Sequence, residues 1–409
     1  MMTTDRTFYT EHLKACVLPF WERAFDDEAG GLFTCWTNDG KTLISTDKYT
    51  WSQARMLWCL SYMLVNLALD TETERRYRTR AGQLYDLLRG AILPGPDEGC
   101  AFLLTREGEA KEPIGGSGLY TSLYADCFVA IAFARWAIAA KEMGILEEAL
   151  AVHGKTMALI ERGIIKTEPY PLPAGSEAQG VLMILCHTAT ELSLALAHFG
   201  DGRAAQYRGE AQAHAHRLLD HFVDNESMQL KEVVVQEGRQ TTLLERHRNP
   251  GHTVECMWFL LDALGGERLQ EIETILITAL SLGWDEEYGG LFRYVDSEGG
   301  RPRGEQGADA FSALVADTWD YKLWWPHAEA LYATSRLYEA TGNPALALWY
   351  ERVKAYTFAT FPSAEEGMEW IQIRRREGEA EDRVVALPVK DPYHIIRALL
   401  LLITDKGTT

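Results

Sequence analysis

Apolar residues recur at three- and four-residue spacing along most of the chain. The stripes predict about twelve helices, over 6–25, 48–69, 72–90, 118–142, 144–163, 180–199, 203–222, 251–264, 267–283, 317–341, 343–360 and 391–404. No long run alternates with the period of two that a half-buried strand requires. The connections fall into two kinds. Leu69 to Glu72, Gly200 to Arg203 and Thr341 to Asn343 are very short links, whereas the intervening connections are long and Gly-rich. That alternation predicts helical hairpins joined tightly at one end and looped at the other.

Two of the long connections resemble each other. Asp26–Thr37 reads DDEAGGLFTCWT and Asp285–Asp296 reads DEEYGGLFRYVD; each follows a helix directly and runs into a turn-like NDGK or SEGG. A Gly pair before an apolar, aromatic-rich run predicts a short β-hairpin with a tight turn. With an internal repeat of helix, GG-hairpin and helix, twelve helices in six hairpins predict an all-α (α/α)6 barrel. Residues 1–409 then form a single domain, with both GG-hairpins at the mouth of the central cavity. An open solenoid is the alternative, but its repeats are usually shorter and more regular.

Composition narrows the function classes. Hydrophobic residues at 47% and charged residues at 24% fit a globular chain with a large core and exclude general disorder. The net charge of -19 repels polyanions, so neither nucleic acid nor an anionic membrane is expected as a partner. MMTTDRTFY at the N-terminus has no apolar run of a signal peptide, and no stretch reaches the ~18 apolar residues of a membrane span, so a cytoplasmic location is expected. The seven cysteines, Cys16, Cys35, Cys59, Cys100, Cys127, Cys186 and Cys256, contain no CxxC pair and are expected to be reduced. Twelve Trp and 17 Tyr exceed ordinary usage, and aromatic rings serve both cores and the C–H faces of sugars.

Four helix entrances concentrate chemistry. KYTWSQARMLW places Tyr49, Trp51, Gln53 and Arg55 at the start of an apolar helix, with Trp51 and Arg55 one turn apart. A buried Arg is costly unless neutralised, so Arg55 either pairs with a structural carboxylate or faces a polar cavity. RHRNPGHTVECMWFL enters a helix at Pro250–Gly251 and puts His252 and Glu255 on one face, where Glu255 is either a cap or a functional acid. KLWWPHAEALY offers Trp324, Trp325, His327 and Glu329, and LPVKDPYHIIR offers His394 and Arg397. His214, His216 and His221 share one polar helix and read as solvated. HxxE is half of a di-iron site without its second half, and HExxH is absent, so no metal is expected. GxSxG, GxxxxGK[ST] and a strand-borne GxGxxG are absent too, which leaves serine hydrolase, nucleotide hydrolase and dinucleotide chemistry without their defining geometry.

KYTWSQAR, RNPGHTVECMWFL, KLWWPHAEAL and DPYHIIRAL, in this order over nearly the whole chain, resemble the N-acylglucosamine 2-epimerase superfamily. That superfamily includes N-acylglucosamine, cellobiose and mannose 2-epimerases and aldose–ketose isomerases on an (α/α)6 barrel. The resemblance implies a cofactor-free isomerase acting on a mono- or disaccharide, with His252 and His394 as the acid/base pair and Glu255 supporting them. It implies sugar contacts from Arg55, with Tyr49, Trp51, Trp324, Trp325, Glu329 and His187 as further binding residues, and a homodimer as one assembly. His327 stands where the family has Gln, His187 in CHTATE matches the family's helix His loosely, and KDPYHIIR lacks the Gly- and Cys-containing segment of the N-acylglucosamine branch. Two histidines on opposite faces of an opened sugar would invert C2 near neutral pH, Arg55 would stabilise the enediolate oxygen, and Glu255, one turn from His252, would fix that imidazole's tautomer. Moving the proton to C1 instead would give a ketose. A glycoside hydrolase would need Glu255 and Glu329 across the cavity, and a non-catalytic sugar-binding barrel would bind without exchanging the C2 proton.

Overall fold

Inner helices of a ring are covered on nearly every side, so they read as apolar all round, whereas outer helices keep one polar face. The computed structural model, which describes residues 5–235, 241–385 and 387–404, sorts the chain on that basis. The helices are α1 (Asp5–His12), α2 (Leu18–Arg23), α3 (Thr50–Asn66), α4 (Thr71–Ala91), α5 (Leu123–Ala140), α6 (Met143–Glu161), α7 (Gln179–His198) and α8 (Ala204–Phe222). They continue with α9 (Leu243–Arg246), α10 (Pro250–Leu264), α11 (Leu269–Gly283), α12 (Ala310–Thr318), α13 (Trp324–Thr341), α14 (Pro344–Thr360) and α15 (Tyr393–Thr404). A π turn at Leu13–Val17 joins α1 to α2.

Helices α3, α5, α7, α10, α13 and α15 pack side by side in that order, and α15 returns against α3 to close the ring. Helices α4, α6, α8, α11 and α14 each cover the inner helix that precedes them, and α1 covers α15. The sixth pair therefore joins the two ends of the described chain, which is the (α/α)6 arrangement. The Asp5 carboxylate fastens this closure by accepting from the Tyr350 hydroxyl at 2.8 Å and from Lys354 Nζ at 2.5 Å on α14. Contrary to the apolar-run count, α5 and α7 are long and apolar enough to cross a membrane, but 78% of each is buried inside the ring, where an inner helix must be apolar. The seven cysteines are free thiols, six of them buried.

Three sequence expectations are corrected. The stretch 317–341 is not one helix: α12 ends at Thr318 and α13 begins at Trp324. Pro326 explains the break, because a proline is tolerated in the first turn but would clash with the carbonyl four residues back in a continuous helix. The four-residue α9, opened by a Thr242–Glu245 capping box, is too short for periodicity to register. Finally, each GG connection is closed by one antiparallel bridge, Phe25 to Leu32 and Trp284 to Leu291, rather than by a regular hairpin.

The repeat reaches further than the GG segments. Gly30 and Gly31 have φ of +75° and +84°, and Gly289 and Gly290 have +77° and +76°. The two left-handed steps return the chain so that the Asp that opened the loop meets a buried lysine, Lys48 on Asp26 and Lys322 on Asp285, each at 3.1 Å. Arg106 and Arg376 clamp the same aspartates through two nitrogens each. They lie in identical segments, Arg-Glu-Gly-Glu-Ala at 106–110 and 376–380. Lys48 pairs with Leu104, and Lys322 with Arg374, in matching two-residue antiparallel ladders. Both aspartates are held below the usual carboxylate range. At Asp26 the Arg106 hydrogen bonds lead; at Asp285 burial pushes upward and is outweighed by Arg376 and Lys322.

The two loops differ in what surrounds them. A Cβ on Gly30 would meet only the Gln83 side chain, at 3.4 Å and beyond, whereas one on Gly290 would lie 2.4 Å from the Tyr356 ring. Gly30→Ala should therefore cost about 1–2 kcal/mol from the left-handed backbone alone, and Gly290→Ala should cost clearly more. Urea unfolding midpoints check this, and equal losses would contradict it.

Candidate active site

Four inner helices are entered in one way. Lys48, Arg248, Lys322 and Lys390 each precede an inner helix, and their side chains bind backbone carbonyls: Lys48 those of Gly30 and Arg106, Arg248 those of Glu245 and Arg246 in α9, Lys322 that of Gly290, and Lys390 those of Asn38 and Trp370. Seven residues after each cation, two helical turns on, stand Arg55, Glu255, Glu329 and Arg397. Arg55, Glu255 and Arg397 line a cavity inside the ring, and Glu329 lies behind its wall, bonded to Arg397.

The cavity is about 190 Å³, and its wall also includes Trp51, His252, Trp324, Trp325 and His394, so that with Arg55 and Glu255 seven predicted residues line it. Trp325 ties the two histidines to one indole, with its ring 5.2 Å from His252 and 5.4 Å from His394.

Each imidazole is held through Nδ1. Asn249 caps α10 by accepting from the His252 N–H at 3.1 Å, and Pro250 occupies the first turn. His252 Nδ1 then meets Glu232 Oε1 at 2.7 Å. Burial pushes the His252 pKa down, but the Glu232 charge and hydrogen bond more than offset this and raise it above the ordinary value. Burial likewise pushes Glu232 up, and His252 holds it below the usual range. On α15, His394 Nδ1 meets Glu329 Oε1 at 2.8 Å. In both cases a carboxylate on Nδ1 leaves Nε2 to exchange protons.

Glu329 sits behind the cavity wall rather than in it. It accepts from Trp258 Nε1 at 2.9 Å and from Arg397 Nη2 at 2.7 Å, and the same Arg397 nitrogen bonds Glu255. Burial pushes Glu329 up, and Arg397 with His394 holds it below the usual range. Glu255, Glu329 and His394 have the donor set of a metal site, yet the Arg397 guanidinium already bridges the two carboxylates. It also fills the gap that a glycoside hydrolase would need for a sugar ring between them. The tautomer-fixing role expected of Glu255 falls to Glu232 instead, because the Glu255 carboxylate is turned to α15.

Arg55 meets both expectations at once. Its Nη1 donates to Asp391 Oδ2 at 2.7 Å, its guanidinium lies over the Phe128 ring at 4.1 Å, and it lines the cavity. Tyr49 and His187 do not line it. Tyr49 packs edge-on against Phe102 in a separate buried cluster. His187 stacks flat on Phe259 at 3.9 Å, and burial holds its pKa down to about 3. His327 is also outside the cavity: its Nε2 accepts from the Leu291 N–H at 2.8 Å, as Gln53 Oε1 accepts from the Leu32 N–H at 2.8 Å in the first GG loop. A neutral imidazole is needed for that, and burial lowers its pKa to about 3.

Glu232 escaped the sequence reading although a signal exists. Asp224–Leu230, DNESMQL, is a third copy of DDEAGGL and DEEYGGL, with Met228 in the left-handed region at φ +54° where glycine stands in the others. Two residues beyond the leucine lie Glu232 and, in the second GG loop, Arg293, both in the cavity wall.

The profile of a family described as N-acylglucosamine 2-epimerase (GlcNAc 2-epimerase) matches residues 31–398. The N-acylglucosamine 2-epimerase of Mus musculus is 30% identical over 403 residues, covering 94% of this chain and 88% of the mouse protein. Among solved structures, cellobiose 2-epimerase from Bacillus thermoamylovorans B4167 is 18% identical with a TM-score of 0.75 over 98% of this chain and 99% of that one. A D-mannose isomerase is 18% identical with a TM-score of 0.73 over 98% of each chain. At those identities the two structures establish the shared toroid.

The Glu232 carboxylate favours the imidazolium form of His252, so removing its charge must lower the His252 pKa. In Glu232→Gln the His252 ring resonances should titrate at lower pH than in the unaltered protein, as followed by NMR. An unchanged or raised midpoint would contradict the pairing.

Proposed function

The chain belongs to the N-acylglucosamine 2-epimerase family, and on that premise we propose that it interconverts an N-acylglucosamine and its C2 epimer, the N-acylmannosamine. The observation that carries this reading is the pair of imidazoles flanking Trp325, each with Nδ1 on a buried carboxylate. One histidine takes the C2 proton of the open-chain sugar, and the C–H electron pair moves into the carbonyl to give an enolate. The other histidine delivers a proton to the opposite face of C2, and the enolate collapses to the inverted aldehyde. In the reverse direction the two exchange roles, which requires one neutral and one protonated ring per cycle. Arg55 donates to the developing oxyanion, since its charge does not vary with pH in the working range. Nothing in this sequence of steps calls for a metal or a nicotinamide.

The identity to the mouse enzyme supports the N-acyl substrate. An aldose–ketose isomerase is the second reading, favoured by the likeness to D-mannose isomerase. It needs a hydroxyl at C2, because only then does protonation at C1 leave a ketose. N-acetylmannosamine, mannose and cellobiose supplied separately, with products followed by NMR, separate the readings: N-acetylglucosamine is the expected product, and fructose from mannose alone would select the isomerase. His252→Asn and His394→Asn should each lower turnover by about 10²–10⁴ without unfolding the protein. Near wild-type turnover in either variant would remove that histidine from the mechanism.

A further inference from the structure

Arg293 is not used in the steps above. It is 4% exposed, lines the cavity, and forms no ion pair with any carboxylate among the described residues. Its guanidinium is held by neutral groups alone: Thr318 Oγ1 at 2.9 Å, the Tyr170 hydroxyl at 3.2 Å and the Val385 carbonyl at 2.9 Å. A buried cation without a counter-charge is costly, whereas the other two arginines of this wall, Arg55 and Arg397, each have carboxylate partners. The side chain is thus aimed and fixed, with its charge left for something that enters the cavity.

Its surroundings say what enters. Tyr170 and Phe311, with ring centroids 5.3 Å apart, and Leu172 and Val385 belong to the same wall, making an apolar surface around one charged donor. Arg293 lines the same cavity of about 190 Å³ as His252 and His394, so the group it meets is carried by the sugar whose C2 those histidines serve. Glu232, Glu255 and Asp391 share the wall, so a second anion is unwelcome there and a neutral oxygen acceptor fits.

We propose that Arg293, with the apolar wall of Tyr170, Leu172, Phe311 and Val385, is a specificity subsite for the N-acyl group on C2, the guanidinium donating to the acyl oxygen and the wall covering the acyl methyl. This rests on the two-histidine reading of the same cavity. A hydrogen bond between a charged and a neutral group contributes enough to shift kcat/KM by roughly 10- to 100-fold.

The test compares N-acetylmannosamine with mannose in the unaltered enzyme and in Arg293→Met and Arg293→Lys. The unaltered enzyme should favour the N-acetyl sugar by at least about 10-fold in kcat/KM. Arg293→Met should erase most of that preference, chiefly through a higher KM for the N-acetyl sugar, and Arg293→Lys should restore part of it. A preference of the unaltered enzyme for mannose, or for a carboxylated or phosphorylated hexose, would overturn the subsite, and the unaltered enzyme answers this even if a variant fails to fold. An equal loss on both sugars in Arg293→Met would overturn it as well. Absence of C2 proton exchange on every sugar would instead sink the epimerase reading.

Discussion

One buried guanidinium organises the centre of this ring. Arg397 on α15 is 1% exposed and is bonded by carboxylates from two other inner helices, Glu255 on α10 and Glu329 on α13. Such a network is weak evidence for stability, because desolvating three charges offsets much of their attraction. Its effect is positional. Removing any member strands a charge in the core, so the three helices have one acceptable register, and His394, one turn from Arg397, has its Nδ1 pinned to Glu329. The same constraint withdraws Glu255 from His252 and leaves that ring to Glu232.

The site is built by reusing one device around the ring. A cation at the helix entrance binds backbone carbonyls, and seven residues on, the same helix presents a charged residue: Lys48 with Arg55, Arg248 with Glu255, Lys322 with Glu329, Lys390 with Arg397. Two of the four are glutamates and two arginines: Arg397 pairs with both glutamates, and Arg55 pairs with Asp391 at the entrance of α15. Two of these entrances carry the histidines, both three residues ahead of the charged position. The loops add a second layer, placing Glu232 and Arg293 against the histidine chemistry. What the family membership contributes is the reaction; the repeat explains why these residues converge.

Legibility in the sequence follows the range of the interactions concerned. The inner helices were readable because apolar periodicity is local, and the paired arrangement because link lengths alternate. Helix entrances marked by proline or glycine gave away His252, Trp325 and His394, since those punctuators act within a few residues. Pro326 marked a helix start that the apolar stripe alone concealed. Glu232 and Asp391 were not singled out, because their importance lies in partners 20 and 336 residues away. His187 was drawn toward the site by its loose match to the family's helix His and Tyr49 by its place in KYTWSQAR, whereas packing commits them to Phe259 and Phe102. The third loop copy was hidden by Met228, which adopts the left-handed conformation without the glycine that advertises it.

The central claim is that two fixed imidazoles serve opposite faces of C2, and solvent deuterium at that carbon tests it most directly. With N-acetylmannosamine in D2O, the N-acetylglucosamine formed by the unaltered enzyme should carry deuterium at C2. His252→Asn and His394→Asn should each still exchange the C2 proton of one epimer without forming the other, and the two variants should differ in which epimer they exchange. Product that retains its C2 proton, or two variants that exchange the same epimer, would contradict the account.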